Sequence, residues 1–583
     1  MNIFIIYILL GVVFKSYLNA SYVNCMIVYN DKIYIGTEGG VAIFDPSKKE
    51  FTTLTNIDGL LGNNIISIAC DSNKNILYGV HGAGLCVNKN TYWEYYTESQ
   101  GFSLSAISSI CATHKNIFVG LESSKYGLWV KSTAGEILLE VPGDSVKFML
   151  TKENYIFLTT PVGLVYIHED SLSQENWHII NLSKLNRFII KEDTVIFATD
   201  SIVGEIYRDS IIKETSLVME DFARDDTGYI YGISNNGIYK RKTFWRKISD
   251  LKGHRLIFYN KLWVGTKGDG IADFETNEKF SPPGPVSNYT NGCAVDPYGN
   301  VYFIHRNIST ISKFDGKTWQ KISLPGVHEL NTIVADSRGN KWIGIWNPSE
   351  SKLKFFQITK TDSIILHKFD EPACVAGLQI VSDTLYILDW CNNTIYKLYN
   401  DTELVPFIID ISKPTGIIKD KKGTLWVSGV VDGLYKYKNG IREHIEEISA
   451  RINGLFLDLN DRLWVATNAG TYMIEEDKII NYGLNNGLLG DDICGFAEDV
   501  YGNVWVLQNY GGVSCITYKG EITNYSIKDG LVSVNFEKSD IIANVMSFDY
   551  NTGILWIATK EGISAVQTES APPEPPEIKI FPN

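Results

Sequence analysis

The stretch that decides the fold reads LWVATNAG and spans residues 463–470. It follows the turn DLNDR at 458–462 and leads into TYMIEE at 471–476. Large apolar and β-branched residues fill its first half and a glycine closes it, which is typical of a short strand followed by a turn. Variants return along the chain as IYIGTEGG at 33–40, LWVGTKGDG at 262–270, LWVSG at 425–429, VWVLQNYGG at 504–512 and LWIATKEG at 555–562.

An aromatic residue at the second position of each such strand marks a repeat, and fourteen of these markers occur, 32 to 51 residues apart. They are Tyr34, Tyr78, Phe118, Phe157, Phe197, Tyr231, Trp263, Tyr302, Trp342, Tyr386, Trp426, Trp464, Trp505 and Trp556. Within the second repeat, four strand-like segments follow one another at 65–71, 75–80, 84–88 and 92–97. A period of about 40 residues with four strands per unit indicates β-propeller blades.

Closed propellers usually have about four to eight blades, so fourteen repeats divide most naturally into seven and seven. The proline-rich segment SPPGPVSN at 281–288 follows the seventh repeat. We therefore predict an all-β protein of two tandem seven-bladed β-propellers with four antiparallel strands per blade, at 21–283 and 284–568. The last repeat has no obvious fourth strand. Residues 21–24 could lend an outer strand and interleave the two rings, and the sequence leaves this open.

A turn of the form D-x-x-G-N or D-x-x-G-T precedes several marker strands, as at 296–300, 336–340, 420–424 and 499–503. The aspartate can accept hydrogen bonds from its own turn, and glycine adopts the positive φ that the turn needs. These carboxylates are thus expected to be structural.

Both ends of the sequence suggest export. Residues 1–20 are apolar and end in small residues, as in a signal peptide cleaved near Ala20–Ser21, although no basic residue precedes the apolar run. Residues 569–583 combine a Pro/Glu linker with the short apolar end EIKIFPN, which predicts that a further domain is cut short.

The composition excludes some classes of function. The formal net charge is −14, and no basic cluster occurs, so a nucleic-acid partner is not expected. The nine cysteines include no CxxC motif, and the nine histidines show no metal-ligand spacing, so neither a disulfide framework nor a metal or cofactor site is expected.

The repeats resemble two-component regulator propeller repeats, a resemblance carried by 56–80, 482–512 and 525–533 with their GL-x-x-N/D and D-x-x-G-N-L-W-V-G-T patterns. It implies paired seven-bladed propellers of an extracytoplasmic sensor that detects glycan fragments, here without a kinase segment. EIKIFPN is similar to the opening of a type IX secretion C-terminal sorting domain. The outline is also similar to that of a two-propeller surface protein of the type IX machinery.

Loops between second and third strands lie on one face of a propeller, which is its default ligand surface. In the second propeller these loops carry aromatic rings beside amides and charges, a combination that suits a sugar or a peptide. The candidate residues are His305, Arg306, Trp346, Asn347, Asp389, Trp390, Gln508, Asn509 and Tyr510.

The sequence thus predicts an exported or cell-surface protein, without a membrane span after leader cleavage, that binds a glycan or protein. A structural part of a secretion machine is one alternative. A polysaccharide lyase or hydrolase that uses His305 with Asp389 is the other, although the sequence has no GxSxG, HExxH or P-loop motif and no GxGxxG after a strand.

Overall fold

The computed structural model describes residues 12–100, 107–122, 126–208, 210–326, 329–346, 352–370, 374–476, 478–536 and 544–568. The described chain contains 56 strands and five short 3-10 turns and no α-helix. The strands form fourteen four-stranded antiparallel sheets. The predicted all-β class and the two sets of seven blades are confirmed.

The first propeller belongs to a compact unit of residues 19–283, and each of its sheets takes four consecutive strands. Its blades are β2 (Val23–Tyr29), β3 (Lys32–Thr37), β4 (Gly40–Asp45), β5 (Glu50–Leu54); β6 (Ile65–Cys70), β7 (Ile76–Val80), β8 (Gly84–Asn88), β9 (Trp93–Tyr96); β10 (Ile107–Ala112), β11 (Ile117–Leu121), β12 (Leu128–Ser132), β13 (Gly135–Leu139); β14 (Phe148–Lys152), β15 (Tyr155–Thr160), β16 (Gly163–His168), β17 (His178–Asn181); β18 (Leu185–Lys191), β19 (Thr194–Thr199), β20 (Val203–Tyr207), β21 (Ser210–Thr215); β22 (Asp221–Arg224), β23 (Ile230–Ser234), β24 (Gly237–Arg241), β25 (Trp245–Ser249); and β26 (Arg255–Tyr259), β27 (Lys261–Gly265), β28 (Ile271–Asp273), β29 (Lys279–Phe280).

The second propeller belongs to a unit of residues 284–583 together with residues 1–18. Its blades are β30 (Thr290–Val295), β31 (Val301–His305), β32 (Ile308–Phe314), β33 (Trp319–Ser323); β34 (Leu330–Ala335), β35 (Lys341–Ile345), β36 (Leu353–Ile358), β37 (Ile364–Phe369); β38 (Val375–Val381), β39 (Thr384–Asp389), β40 (Thr394–Tyr399), β41 (Glu403–Ile408); β42 (Pro414–Lys419), β43 (Leu425–Gly429), β44 (Gly433–Lys438), β45 (Ile441–Ile445); β46 (Ile452–Leu457), β47 (Leu463–Thr467), β48 (Gly470–Glu475), β49 (Lys478–Tyr482); β50 (Ile493–Glu498), β51 (Val504–Gln508), β52 (Gly512–Ile516), β53 (Ile522–Tyr525); and β54 (Met546–Asp549), β55 (Ile554–Thr559), β56 (Gly562–Gln567) with β1 (Val13–Tyr17). The 3-10 turns span Asn56–Asp58, Glu98–Gln100, Gln174–Asn176, Leu484–Asn486 and Ile527–Asp529.

Strand β47 shows why the repeat is apolar on both faces. Trp464 packs with Val504 and Val506 of the following blade, whereas Leu463 and Val465 pack against the preceding blade. Successive side chains of a strand point to opposite faces, so one short strand contributes to two cores between blades.

Asp458 builds the turn in front of β47. Its carboxylate accepts the amide hydrogens of Asn460 at 3.0 Å and Arg462 at 2.9 Å, and the indole N–H of Trp464 at 2.9 Å. The link between turn and indole recurs at Asp336–Trp342, Asp420–Trp426 and Asp499–Trp505. The expected structural role of these aspartates is confirmed, and the bond explains the spacing of aspartate and tryptophan in the repeat.

The first propeller closes where the start of its first blade meets the loop between the second and third strands of its seventh blade. The amide of Val23, the first residue of β2, donates to the carbonyl of Thr266 at 3.2 Å, and the amide of Gly270 donates to Ser21 at 2.8 Å. Residues 21–24 therefore lead into the innermost strand of the first blade, and the prediction that they could lend an outer strand is wrong.

The second propeller closes through β1, which pairs antiparallel with β56 from Val13 opposite Gln567 to Tyr17 opposite Ile563. The ring of Tyr17 lies 5.2 Å from that of Phe314 in the first blade of this propeller, and the ring of Phe14 lies 5.6 Å from that of Tyr525 in the sixth. The missing fourth strand thus comes from the start of the chain. A leader cleaved near Ala20–Ser21, as the sequence predicts, would remove this strand.

Cys374 and Cys391 form a disulfide bond with a Cα–Cα distance of 5.4 Å, while the other seven cysteines are free. The bond joins the residue before β38 to a residue after β39. The sequence expectation of no disulfide framework missed this pair, because its cysteines lie 17 residues apart and meet only when the hairpin forms.

Candidate functional site

The candidate residues that the structure describes lie at the ends of second strands of the second propeller or in the segments that directly follow those strands. The structure divides these residues into internal and solvent-accessible groups. Asn347 lies outside the described residues, as do the Pro/Glu linker and sorting segment at 569–583 and residues 1–11 of the leader.

His305 ends β31 and is fully buried. Its Nε2 lies 2.7 Å from the hydroxyl of Ser312 on the neighbouring strand. Burial disfavours the charged imidazolium and lowers the pKa of His305 to about 3. His305 therefore acts as a neutral packing residue, and the structure does not offer it to a ligand.

Asp389 ends β39 and is also fully buried. Its carboxylate accepts the amide hydrogens of Cys374 and Cys391, each at 2.9 Å, and the side-chain amide of Asn392 at 2.8 Å. Burial raises its pKa, and these three bonds act in the opposite direction. These hydrogen bonds show that Asp389 stabilises the loop closed by the disulfide. The hypothesis that Asp389 and His305 form a catalytic pair therefore has no support from the geometry.

Gln508 ends β51, and Asn509 follows it. Gln508 is fully buried, donates to Ser514 at 2.8 Å and accepts the amide of Leu489 at 3.2 Å. Asn509 is 8% exposed and donates to Asp492 at 3.2 Å. Tyr510 follows with 71% of its surface exposed. Of these three candidates, only Tyr510 presents most of its side chain to solvent.

Trp346 and Trp390, on neighbouring blades, form the most distinctive pair on this face. Their rings are 6.3 Å apart and nearly perpendicular at 88°. The indole N–H of Trp390 donates to the carbonyl of Pro414 at 2.9 Å, and the Lys413 ammonium lies 5.4 Å from the Trp390 ring. Both indoles are partly exposed. Arg306, on the blade before Trp346, lies over the ring of Tyr289 at 5.7 Å.

A second feature lies within the channel of the same propeller. A cavity of about 710 Å³ is lined by innermost strands of six blades and by the turns that follow some of them. Its apolar wall includes Ile380, Phe456, Phe496, Met546 and Phe548, and its acidic groups are Asp296, Asp336, Glu498 and Asp549. The turns after the innermost strands lie on the face opposite the predicted loops.

Glu498 differs from the other carboxylates of the cavity. It is 2% exposed. One carboxylate oxygen accepts the amide hydrogen of Leu459 at 2.6 Å, and the other has no hydrogen-bond partner. Burial raises its pKa, and the nearby carboxylate of Asp458 adds to this shift. Sequence reasoning missed this site because it searched the loops. The signal it could have used is an acidic residue directly before the turn aspartate Asp499, since an apolar residue precedes the turn aspartates Asp296, Asp336 and Asp458.

No known sequence family and no curated protein matches the chain. PorZ of Porphyromonas gingivalis, described as an essential bacterial surface component of the type-IX secretion system, is similar with a TM-score of 0.75 at 13% identity, over 95% of this chain and 87% of PorZ. The GH74 enzyme of Niastella koreensis gives a TM-score of 0.65 at 12% identity, over 96% of this chain and 100% of the enzyme chain. A domain described as the extracellular part of the hybrid two-component system BT3049 from B. thetaiotaomicron gives a TM-score of only 0.40 at 15% identity, over 95% of this chain and 83% of that domain.

At 12–13% identity, the similarity to PorZ and to the GH74 enzyme shows only a shared fold. The TM-score of 0.40 for BT3049 is too low to support any conclusion. The chain is thus a double β-propeller, and its structural neighbours include a bacterial surface protein and a GH74 enzyme. Within the described residues, no helix is long and apolar enough to cross a membrane, and no group of three or more acidic, histidine or cysteine side chains is placed to hold a metal ion.

Proposed function

We propose that this chain is an exported binding protein that recognises a glycan or a protein at the cell surface through the loop face of its second propeller. The observation that carries the proposal is the perpendicular pair of Trp346 and Trp390. Partly exposed indoles offer apolar area to the faces of sugar rings or to peptide side chains, and they lose little conformational entropy on binding.

Trp390 is held in place by its neighbours, which favours a binding role. The disulfide at Cys391 holds the residue after Trp390, and the bond to Pro414 fixes the indole itself. The Lys413 ammonium beside the ring supplies a hydrogen-bond donor at the edge of the surface. Groups that are held in place before a ligand arrives add less ordering cost to binding.

The test is a glycan array followed by calorimetry with the full chain and its Trp346→Ala, Trp390→Ala double variant. We expect the double variant to lose at least about tenfold in affinity, since each aromatic anchor is worth more than about 1 kcal/mol. The matched control removes two exposed rings from turns on the opposite face, Tyr298→Ala with Tyr518→Ala, and should bind like the wild type. Equal binding by both double variants would reject the loop face.

A second candidate function is a structural role in type IX secretion at the outer surface. It is supported by the likeness to PorZ, which extends over 95% of this chain. Deletion of the gene should then reduce surface delivery of type IX cargo, and the tagged protein should co-purify with outer-membrane components. Normal cargo delivery in the deletion strain would reject this role while leaving glycan binding intact.

A further inference from the structure

We propose that the channel of the second propeller contains a separate binding site for a small organic cation, an ammonium or guanidinium group on an apolar stem. The site is the 710 Å³ cavity around Glu498. It lies away from the tryptophan pair, and it does not depend on the proposed function of the loop face.

The cavity has the size and the wall of a small-molecule site. Its volume falls within the range of about 300–1,000 Å³ in which ligand pockets are found. Phe456 and Phe496 form a stacked pair on the wall, with ring centroids 5.8 Å apart and planes inclined by 26°. Met546 and Phe548 of the last blade also line the cavity. This wall suits an apolar stem, and aromatic faces attract a cation.

The charged groups that line the cavity determine whether it favours a positively or a negatively charged ligand. Four carboxylates and no lysine, arginine or histidine occur among the described residues that line the cavity. The guanidinium of Arg338 lies 3.0 Å from the carboxylate of Asp336 and compensates its negative charge. Lys341, which does not line the cavity, interacts electrostatically with Asp296, whereas Asp549 has no basic residue beside it in the lining. A cation in the cavity would be attracted, and a carboxylate ligand would be repelled.

The three aspartates already use their oxygens in the turns. Asp296 accepts the amides of Tyr298 and Asn300, each at 3.0 Å, and Asp549 accepts the amide of Asn551 at 3.0 Å and the hydroxyl of Thr552 at 2.6 Å. Asp336 accepts from Asn340 and Trp342. They supply negative potential and have little capacity left for a direct bond to a ligand.

Glu498 has that capacity. Its free carboxylate oxygen is buried and lacks a protein partner, an arrangement that is costly unless another donor fills the position. An ammonium or guanidinium group donates two or more hydrogen bonds and carries the complementary charge. The structure assigns the carboxylate of Glu498, which lines the cavity and has one oxygen without a partner, as the group that receives the cationic head.

The charged groups around Glu498 give the site a pH dependence. Asp458 and Asp499 raise the pKa of Glu498 in addition to burial, whereas Arg462 lowers it. Tyr550, whose own pKa is raised by burial and by Glu498, lines the same cavity. As pH falls through the raised pKa, Glu498 becomes neutral and loses its attraction for a cation, so binding should weaken from pH 7 to pH 4.

The probes are three molecules of one shape and different charge: n-pentylamine, 1-pentanol and pentanoate, titrated calorimetrically into the full chain. We expect pentylamine to bind at least tenfold more tightly than pentanol, and pentanoate to show no binding. Glu498→Gln keeps the shape of the side chain and should lose at least tenfold for pentylamine, together with its pH dependence. Glu403→Gln, at an exposed position of the same propeller, is the matched control and should bind like the wild type.

The Trp346→Ala, Trp390→Ala double variant should retain pentylamine binding, which separates this site from the loop face. Thermal melts of Glu498→Gln must match those of the wild type, and Phe496→Leu provides a second, uncharged perturbation of the wall that should weaken both pentylamine and pentanol. Equal affinities for amine and alcohol, unchanged binding by Glu498→Gln, or no binding of pentylamine would each overturn the proposal.

Discussion

The ring of Tyr17 lies 5.5 Å from the ring of Trp556, although more than 500 residues of chain separate the two. Tyr17 also contacts Phe314 at 5.2 Å and Trp319 at 5.5 Å. The side chain therefore joins the last blade of the second propeller to its first, and the closure of this ring depends on the start of the chain.

Replacing Tyr17 with alanine should destabilise the second propeller by about 2–4 kcal/mol, because it removes a partly buried ring from an aromatic cluster. Urea unfolding followed by tryptophan fluorescence measures the change. Tyr518→Ala, which removes a ring that is 64% exposed in the same propeller, should cost less than about 0.5 kcal/mol. Similar losses for both variants would contradict a fastening role for Tyr17.

The mature protein should retain residues 13–17. If a leader is removed on export, its cleavage must fall before Val13, because each residue of β1 is paired with β56. Mass spectrometry of the N-terminal peptide from the exported protein tests this directly. A mature chain that begins at Ser21 would show that the last blade functions with three strands.

Reduction of the Cys374–Cys391 bond should lower stability by about 3 kcal/mol, the value that chain entropy gives for a loop of this length. Peptide mapping without reductant should find these two cysteines linked and the other seven free. The Cys374→Ser, Cys391→Ser double variant should melt lower than the wild type in the absence of reductant. Cys70→Ser, which alters a half-buried free thiol, should melt within a degree or two of the wild type.

Acid should destabilise the second propeller in part through His305. Its folded pKa of about 3 lies below the ordinary 6.5, so its contribution to stability is complete above pH 6.5 and is lost as pH falls from 6.5 toward 3. The loss between pH 7 and pH 4 should reach roughly 3 kcal/mol for this residue. Urea midpoints across that range should therefore fall less steeply for His305→Gln, which can still bond to Ser312. If the urea midpoint of His305→Gln fell with pH as steeply as that of the wild type, His305 would not be a cause of the loss of stability in acid.

The repeat in the sequence predicted most of the fold because it depends on local pattern. The Asp458 turn, the Trp464 indole bonded to it and the alternating apolar residues of β47 all lie within ten residues of one another. The division near 283 likewise follows a local proline cluster. Periodicity and turn chemistry are sufficient to place blades, because each blade is built from neighbouring strands.

The candidate site was less accessible to sequence reasoning. Polar side chains at loop positions usually reach solvent, which is why the sequence suggested a ligand-binding role for His305, Asp389 and Gln508. In the structure these three side chains are buried and form hydrogen bonds at the ends of strands. The placement of Trp346 against Trp390 could not be read from the sequence either, since it depends on how two neighbouring blades are rotated.

The sequence by itself determined that this chain forms two rings of seven four-stranded blades, because the information for a blade is contained in about 40 consecutive residues. Only the tertiary structure decided that Val13–Tyr17 completes the last blade, that Cys374 meets Cys391, and that Glu498 lines a cavity and has one carboxylate oxygen unpaired. Each of these features depends on residues that are far apart in the sequence. Local hydrogen bonds form first, and only the folded chain shows which strand edge and which buried oxygen are left without a partner.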